Sequence, residues 1–159
     1  MRKSFRYWLL VVAWAALITL LSTSEFSGLA SQHWLNQLLR DFFPDVHWDT
    51  IWLLNQTLRK LAHLGEYFVL SLLLLRALRA DTPGAWRWRW GALALTLAVG
   101  FAVLDELHQG FERNRQASVI DVGIDAAGAA LAQLLLCWRV AAHKKTSSAT
   151  ANMERPEET

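Results

Sequence analysis

Residues 51–78 read IWLLNQTLRKLAHLGEYFVLSLLLLRAL, an apolar run whose polar residues lie mainly in its first half. A hydrocarbon core of about 30 Å needs about 20 residues of helix, and this stretch exceeds that length. The run therefore predicts a membrane-spanning helix. The charged and polar residues inside it need partners or a function, because they are costly in a bilayer.

Three further apolar stretches flank this one, and together they predict the fold. The third stretch, beginning at Gly91, is short, and it spans the membrane only if residues 105–109 continue the same helix. We expect an all-α polytopic membrane protein with a four-transmembrane-helix bundle. The expected spans cover about residues 7–22, 51–78, 91–111 and 119–140 of a single domain, 1–140, followed by a disordered cytoplasmic tail over 141–159.

The first span admits a second interpretation. A cleavable signal peptide would have the same features, namely a basic start, the apolar run YWLLVVAWAALITLL over residues 7–21 and the small residues 22–24. We favour an uncleaved span, because three more apolar stretches follow with which it would form a bundle. Between spans one and two, apolar residues recur at helical spacing from Leu35 to Phe43, which predicts a short amphipathic helix at the bilayer surface.

Composition excludes several classes of function. The chain has 159 residues, 53% of them hydrophobic, and a formal net charge of +2, which gives no electrostatic reason to bind nucleic acid. Its one cysteine, Cys137, excludes an internal disulfide and a cysteine cluster. The serine-hydrolase elbow Gly-x-Ser-x-Gly and the Gly-rich phosphate loop are both absent from the sequence.

The distribution of Lys and Arg predicts the orientation, since cytoplasmic loops of membrane proteins carry an excess of both. One side of the four spans has ten such residues near the helix ends, and the other has five. We therefore expect both termini in the cytoplasm and the connections 22–50 and 111–118 outside. The ten are Arg2, Lys3, Arg6, Arg76, Arg79, Arg87, Arg89, Arg139, Lys144 and Lys145, and the five are Arg40, Arg59, Lys60, Arg113 and Arg115.

Polar residues of spans two, three and four all fall near the predicted outer ends of these spans. At about 100° per residue, they form one stripe on each helix, and the alternating direction of the spans brings the stripes to one depth. The candidate site residues are Lys60, His63, Glu66 and Tyr67 on span two, Asp105, Glu106 and Gln109 on span three, Arg115 before span four, and Ser118, Asp121 and Asp125 at its start, with Gly128 on the same stripe.

These elements resemble the VanZ-like family of membrane proteins. The matching segments are Lys60-Leu-Ala-His63 with Glu66-Tyr67, then Asp105-Glu106-Leu-His-Gln109, and then residues 115–128, RQASVIDVGIDAAG. Asp125 departs from the pattern, since we expect asparagine there in many relatives. The resemblance implies a small bacterial membrane protein of the cell envelope, in a family named after a member linked to resistance to the glycopeptide teicoplanin.

Three functions are compatible with the stripes. The first is a binding protein whose water-accessible pocket recognises an envelope lipid, a lipid-linked cell-wall precursor or a glycopeptide antibiotic. Lys60 and Arg115 would hold an anionic group, and acids such as Glu66, Asp105 and Asp121 would accept hydrogen bonds from the ligand. No cofactor is needed for this function.

The second function is an intramembrane enzyme acting on a lipid-linked substrate, with catalytic candidates His63, Glu66, Asp105, Glu106 and Asp121. A divalent metal held by Asp121, Asp125 and His63 is a weaker hypothesis. The third is a structural scaffold in which the charges pair only to assemble the helices. The sequence leaves the ligand and the oligomeric state open.

Overall fold

The structure consists of helices joined by short connections. The computed structural model describes residues 3–22, 29–44, 47–80, 87–111 and 117–153. The helices of these residues are α1 (Lys3–Ser22), α2 (Leu29–Phe42), α3 (Trp48–Arg79), α4 (Trp88–Gly110) and α5 (Val119–Met153). Four of them, α1, α3, α4 and α5, are long and apolar enough to cross a membrane, which confirms the predicted all-helical fold with four spans.

The ends of the first three membrane-spanning helices lie within four residues of the expected spans, whereas the last helix is longer than its expected span. Helix α4 continues through residues 105–109, as its short apolar stretch required. The segment of α5 that is apolar enough to cross a membrane is Val119–Ala142, but the helix itself continues to Met153. The structure thus has a helix over 141–153, where the sequence predicted the start of a disordered tail.

Helix α3 lies at the centre of the bundle and contacts each of the other four helices. Helix α1 packs on α3 and α4, and α5 packs on α3 and α4 from the other side. A hydrogen bond from the Trp14 indole nitrogen to the backbone oxygen of Glu66, 3.0 Å long, joins α1 to α3. Helix α3 is therefore the element that the other helices share.

Small side chains recur at the contacts between helices, and many of the large apolar ones face outward. Ala94, Ala98 and Ala102 recur every fourth residue on α4 and are fully buried, as is Ala129 on α5. Large apolar residues such as Trp138 are exposed. This distribution is typical of helices packed in a membrane, where small residues let backbones approach and apolar side chains contact lipid.

Helix α2 is the predicted amphipathic helix, and it is attached to the beginning of α3. The Asn55 side-chain nitrogen donates a hydrogen bond to Asn36 Oδ1, and the guanidinium of Arg40 lies 3.4 Å from the centre of the Trp48 ring. Phe42 at the end of α2 is 72% exposed. These contacts fix α2 beside the end of the bundle at which α3 and α5 begin.

Candidate functional site

The candidate site lies at the end of the bundle where α3 and α5 begin and α4 ends, which we call the polar end. The structure brings together here every predicted site residue that it describes, and we call this set the polar cluster. Arg115 lies outside the described residues. The polar cluster is Lys60, His63, Glu66, Tyr67, Asp105, Glu106, Gln109, Ser118, Asp121 and Asp125.

The backbones of α3 and α5 approach closely next to the polar cluster. A Cβ atom built on Gly128 would lie 2.2 Å from the backbone oxygen of Leu64 and 2.9 Å from its carbonyl carbon. Only glycine fits at such a distance, so Gly128 sets the spacing of the two helices. One turn away from Gly128, His63 Nδ1 lies 3.4 Å from Asp125 Oδ1.

Polar side chains continue the same contact toward the middle of the bundle. The Ser71 hydroxyl donates a 3.0 Å hydrogen bond to the backbone oxygen of Ala129, and Gln133 Nε2 donates to Ser71 Oγ at 2.8 Å. Ser71 and Gln133 are both buried. Interhelical hydrogen bonds of this kind are worth about 0.6 kcal/mol on average in membrane bundles, so they orient the helices more than they stabilise them.

Asp105 joins α4 to the end of α1. Its Oδ2 atom accepts a 2.8 Å hydrogen bond from the Ser22 hydroxyl and a 2.9 Å bond from Gln109 Nε2. Asp105 is 5% exposed and Gln109 is 2% exposed, so this carboxylate lies inside the protein. Two donors on one oxygen hold the Asp105 side chain in a fixed orientation.

Two members of the polar cluster organise the beginning of α5. Glu106 Oε1 accepts a 2.5 Å hydrogen bond from the backbone amide of Ser118, and Ser118 Oγ accepts one from the Asp121 amide at 3.3 Å. Amides at the start of a helix have no partner within the helix, and an acidic residue there also interacts favourably with the helix dipole. Glu106 and Ser118 thus position α5, whatever else they contact.

A small cavity opens at the polar end between α3 and α5. It has a volume of about 40 Å³ and is lined by Gln56, Arg59, Lys60, His63, Asp121 and Ile124. A cavity of this size holds one or two water molecules rather than a whole ligand. The Arg59 guanidinium lies 3.8 Å from Asp121 Oδ2, and the Lys60 side chain is exposed at its edge.

Several buried polar atoms of the polar cluster have no hydrogen-bond partner within the described part of the chain. They are His63 Nδ1, Tyr67 Oη, Asp105 Oδ1 and Asp125 Oδ1. His63 and Asp125 are within ion-pair range of one another, but the geometry of that contact is not a hydrogen bond. Tyr67 is fully buried and Asp125 is 2% exposed. Each unsatisfied buried polar atom costs about 1–3 kcal/mol, so native structures keep few of them.

Acidic side chains lie in the neighbourhood of the unpartnered Tyr67 hydroxyl. Asp105, Asp125 and Glu66 are within the range of electrostatic interaction with Tyr67. The Tyr67 ring also packs against Phe101 of α4, with a centroid distance of 6.2 Å. The Tyr67 side chain is therefore packed against α4, with its hydroxyl buried.

The described residues contain no group of three or more His, Cys, Asp or Glu side chains arranged to hold a metal ion. The three residues of the metal hypothesis are instead engaged in pairs. Asp121 faces Arg59, and Asp125 faces His63. Asp121, Asp125 and His63 therefore do not converge on one point among the described residues.

Sequence reasoning missed Ser22 and Arg59. Ser22 stood among the small residues of a hypothetical cleavage site, and no pattern in α1 indicates that it reaches Asp105 of α4. Arg59 was counted only as a charge near a helix end. Arg59 precedes His63 by four residues and Glu66 by seven, so helical spacing places it on the polar stripe of α3. This spacing is the signal in the sequence that could have indicated its contact with Asp121.

Comparison with known proteins identifies the family of this chain. No curated protein and no solved structure matches the chain. The family model described as VanZ/LLP1 matches residues 7–140, which include all four membrane-spanning segments almost completely and the whole polar cluster. The chain therefore belongs to the VanZ/LLP1 family of membrane proteins.

Proposed function

We propose that this protein is a binding protein of the bacterial cell envelope that uses the polar cluster to recognise the polar head of its ligand. The candidate ligands are an envelope lipid, a lipid-linked cell-wall precursor and a glycopeptide antibiotic. The observation that carries the proposal is the set of buried polar atoms without partners, above all Tyr67 Oη and Asp105 Oδ1. A ligand that forms hydrogen bonds with these atoms would recover the free energy that their burial without partners costs the unbound protein.

The charges around the small cavity suggest which chemical groups of a ligand would be recognised. Arg59 and Lys60 lie at its edge and would hold a phosphate or carboxylate, and Arg115 would add to them. Asp121 lines the same cavity, and Asp125 lies deeper, beside His63. These acids would accept hydrogen bonds from hydroxyl or ammonium groups. A ligand that carries an anionic group next to hydrogen-bond donors would fit this arrangement of basic residues at the edge and acidic residues deeper inside.

The volume of the cavity sets a requirement on binding. About 40 Å³ does not admit a phosphate together with its substituents, so the site must widen when the ligand enters. We expect the cavity to widen at His63. The 3.4 Å contact between His63 and Asp125 is a direct polar contact between α3 and α5 beside the cavity. We expect the ligand to replace this contact.

The distribution of Lys and Arg supports an outward-facing polar end. With both termini in the cytoplasm, the polar cluster would face the outer side of the bacterial cytoplasmic membrane. Lipid-linked precursors and glycopeptides meet the membrane on that side. This orientation is part of the proposal.

A purely structural role explains only part of the polar cluster. The Ser22 to Asp105 and Glu106 to Ser118 bonds serve assembly of the helices. Charges that served assembly alone would be paired with one another, whereas Asp105 keeps its second oxygen buried and unpartnered among the described residues. We therefore favour recognition over a scaffold.

The His63 and Asp125 pair favours an enzyme as a second candidate. His63 lines the small cavity, where a water molecule fits, and Asp125 would orient its imidazole. In a hydrolase acting on a lipid-linked diphosphate, His63 would take the proton of the attacking water. Release of phosphate from undecaprenyl diphosphate by the purified protein, and its loss in His63→Gln, would distinguish this candidate from binding alone.

Ligand binding by purified variants tests the proposal. Protein in dodecyl maltoside is titrated with undecaprenyl phosphate and, separately, with teicoplanin, and the bound fraction is counted by native mass spectrometry. Asp105→Asn and Asp121→Asn keep the side-chain shape and remove the charge, and His108→Gln on the exposed face of α4 is the control. We expect at least about tenfold weaker binding in the first two variants and none of this loss in the control.

The same variants can be compared in cells. Strains that express each variant at equal membrane abundance are assayed for teicoplanin susceptibility. If neither probe binds the wild-type protein, or if Asp105→Asn and Asp121→Asn bind like His108→Gln, the polar cluster is not the recognition site. A change of susceptibility in His108→Gln alone would also contradict the proposal.

A further inference from the structure

A second cavity lies at the opposite end of the bundle, where α3 ends, which we call the arginine end. Helices α1 and α5 both pack on α3, but their described residues do not pack on each other, and this leaves a groove along α3. The groove has a volume of about 570 Å³, within the range of ligand sites. It shares no residue with the polar cluster.

The groove is apolar inside the bundle and basic at its end. Phe68 and Leu72 of α3 line its inner part, and Arg76, Arg79 and Arg139 line the part at the arginine end. Arg76 and Arg139 are exposed. The acidic residues of the described chain lie at the polar end or in the first half of α3, so the described residues place no carboxylate beside Arg76 or Arg139.

The length of the groove matches one leaflet of a bilayer. Its lining runs along α3 from Phe68 to Ala80, which is about 18 Å of helix. Half of a hydrocarbon core is about 15 Å. A lipid of the leaflet at the arginine end would therefore lay an acyl chain along Leu72 and place its head group level with the arginines.

We propose that this groove binds an anionic phospholipid, with the phosphate held by Arg76 and Arg139 and an acyl chain along α3. Basic pockets between membrane helices bind anionic head groups in this way. The fork of an arginine suits a phosphate better than the point charge of a lysine does. A second protein copy would instead bury the arginines against one another, with the described residues offering no acid to meet them. The proposal does not depend on the function of the polar cluster.

Native mass spectrometry with defined lipids tests the groove. Full-length protein in mild detergent is titrated with phosphatidylglycerol, with phosphatidylcholine and with glycerol 3-phosphate. The test variant is Arg76→Gln with Arg139→Gln. The control is Arg87→Gln with Arg89→Gln, which removes the same charge from exposed positions of α4 and its preceding residue at the same end, outside the groove.

The wild-type protein and the control are expected to bind one phosphatidylglycerol at least about tenfold more tightly than phosphatidylcholine. The test variant should lose about 10- to 30-fold in affinity for phosphatidylglycerol, because each arginine near an anionic lipid contributes a several-fold preference. Leu72→Trp, which fills the groove without changing charge, should reduce binding of both lipids. Thermal unfolding of each variant checks that the fold is retained.

Four outcomes would overturn the inference. Equal binding of the two lipids by the wild type would show that the arginines do not select a head group. A test variant that binds like the control would place the lipid elsewhere. Binding of glycerol 3-phosphate as tight as that of phosphatidylglycerol would mean that the groove holds no acyl chain. A protein dimer that is lost in Leu72→Trp and insensitive to lipid would identify a second copy as the occupant.

Discussion

Replacement of Gly128 by alanine perturbs the contact that sets the distance between α3 and α5. The added Cβ atom would lie 2.2 Å from the Leu64 backbone oxygen, whereas ordinary Cβ contacts begin at about 3.4 Å. The two helices must therefore separate locally by roughly 1.2 Å. The nearest atoms belong to the backbone of Leu64, so no side-chain rotation relieves the clash.

The expected cost follows from this displacement. Overpacking of a close contact lowers the free energy of unfolding by about 1–3 kcal/mol. Intrinsic helix propensity acts in the opposite direction, since alanine in a helix is about 1 kcal/mol better than glycine. We therefore expect Gly128→Ala to be destabilised, and the contact of His63 with Asp125, one turn away, to lengthen beyond its present 3.4 Å.

Thermal unfolding in detergent, followed by circular dichroism, measures the effect. Two glycines of the same helices provide matched controls, because a Cβ atom at Gly65 of α3 or Gly123 of α5 would meet nothing within 4 Å. Gly65→Ala and Gly123→Ala should unfold at the wild-type temperature or above it. If Gly128→Ala were as stable as Gly123→Ala, the close approach of α3 and α5 would be refuted.

Three further predictions concern the bonds between helices. Ser22→Ala removes a hydrogen bond to a buried carboxylate and should lower the free energy of unfolding by about 1.5–3 kcal/mol. Thr19→Ala is the control, because the Thr19 hydroxyl bonds to Ala15 within α1, and it should change the free energy of unfolding little. Gln133→Leu should cost about 0.6–1.7 kcal/mol in the same assay, and a stability equal to wild type would contradict the role of its bonds to α3. Glu106→Gln keeps an acceptor for the Ser118 amide but removes its charge, so hydrogen exchange of that amide should become several-fold faster, and unchanged exchange would argue against the bond.

The spans and the helix that joins the first two were predictable because they depend on local sequence. The length of an apolar run decides whether a helix can cross a bilayer, and α3 differs from its predicted bounds, 51–78, by only a few residues. Helical periodicity also placed the polar stripes on one side of each span. The alternating direction of the spans then brought residues as distant as His63 and Asp125 to the same end.

The pairing of individual residues was not predictable, because it depends on how the helices rotate and slide against each other. The sequence marks Gly128 as small, but the backbone oxygen that it approaches is set by the packing of α3. Likewise, Ser22 ends an apolar helix with no polar stripe, so its bond to Asp105 could not be read from spacing. The helix over 141–153 was missed because the tail has a polar composition that disordered segments share.

The bond between Ser22 and Asp105 joins residues that are 83 positions apart, and this separation constrains biosynthesis. At about 5–20 residues per second, the ribosome makes Asp105 roughly 4–17 s after Ser22. During that interval the first helix waits in the bilayer without its polar partner. Because the helix carries almost no polar side chain in its apolar run, it can wait there as a stable single span. The later arrival of the aspartate then joins the first helix to α4, before α5 is made.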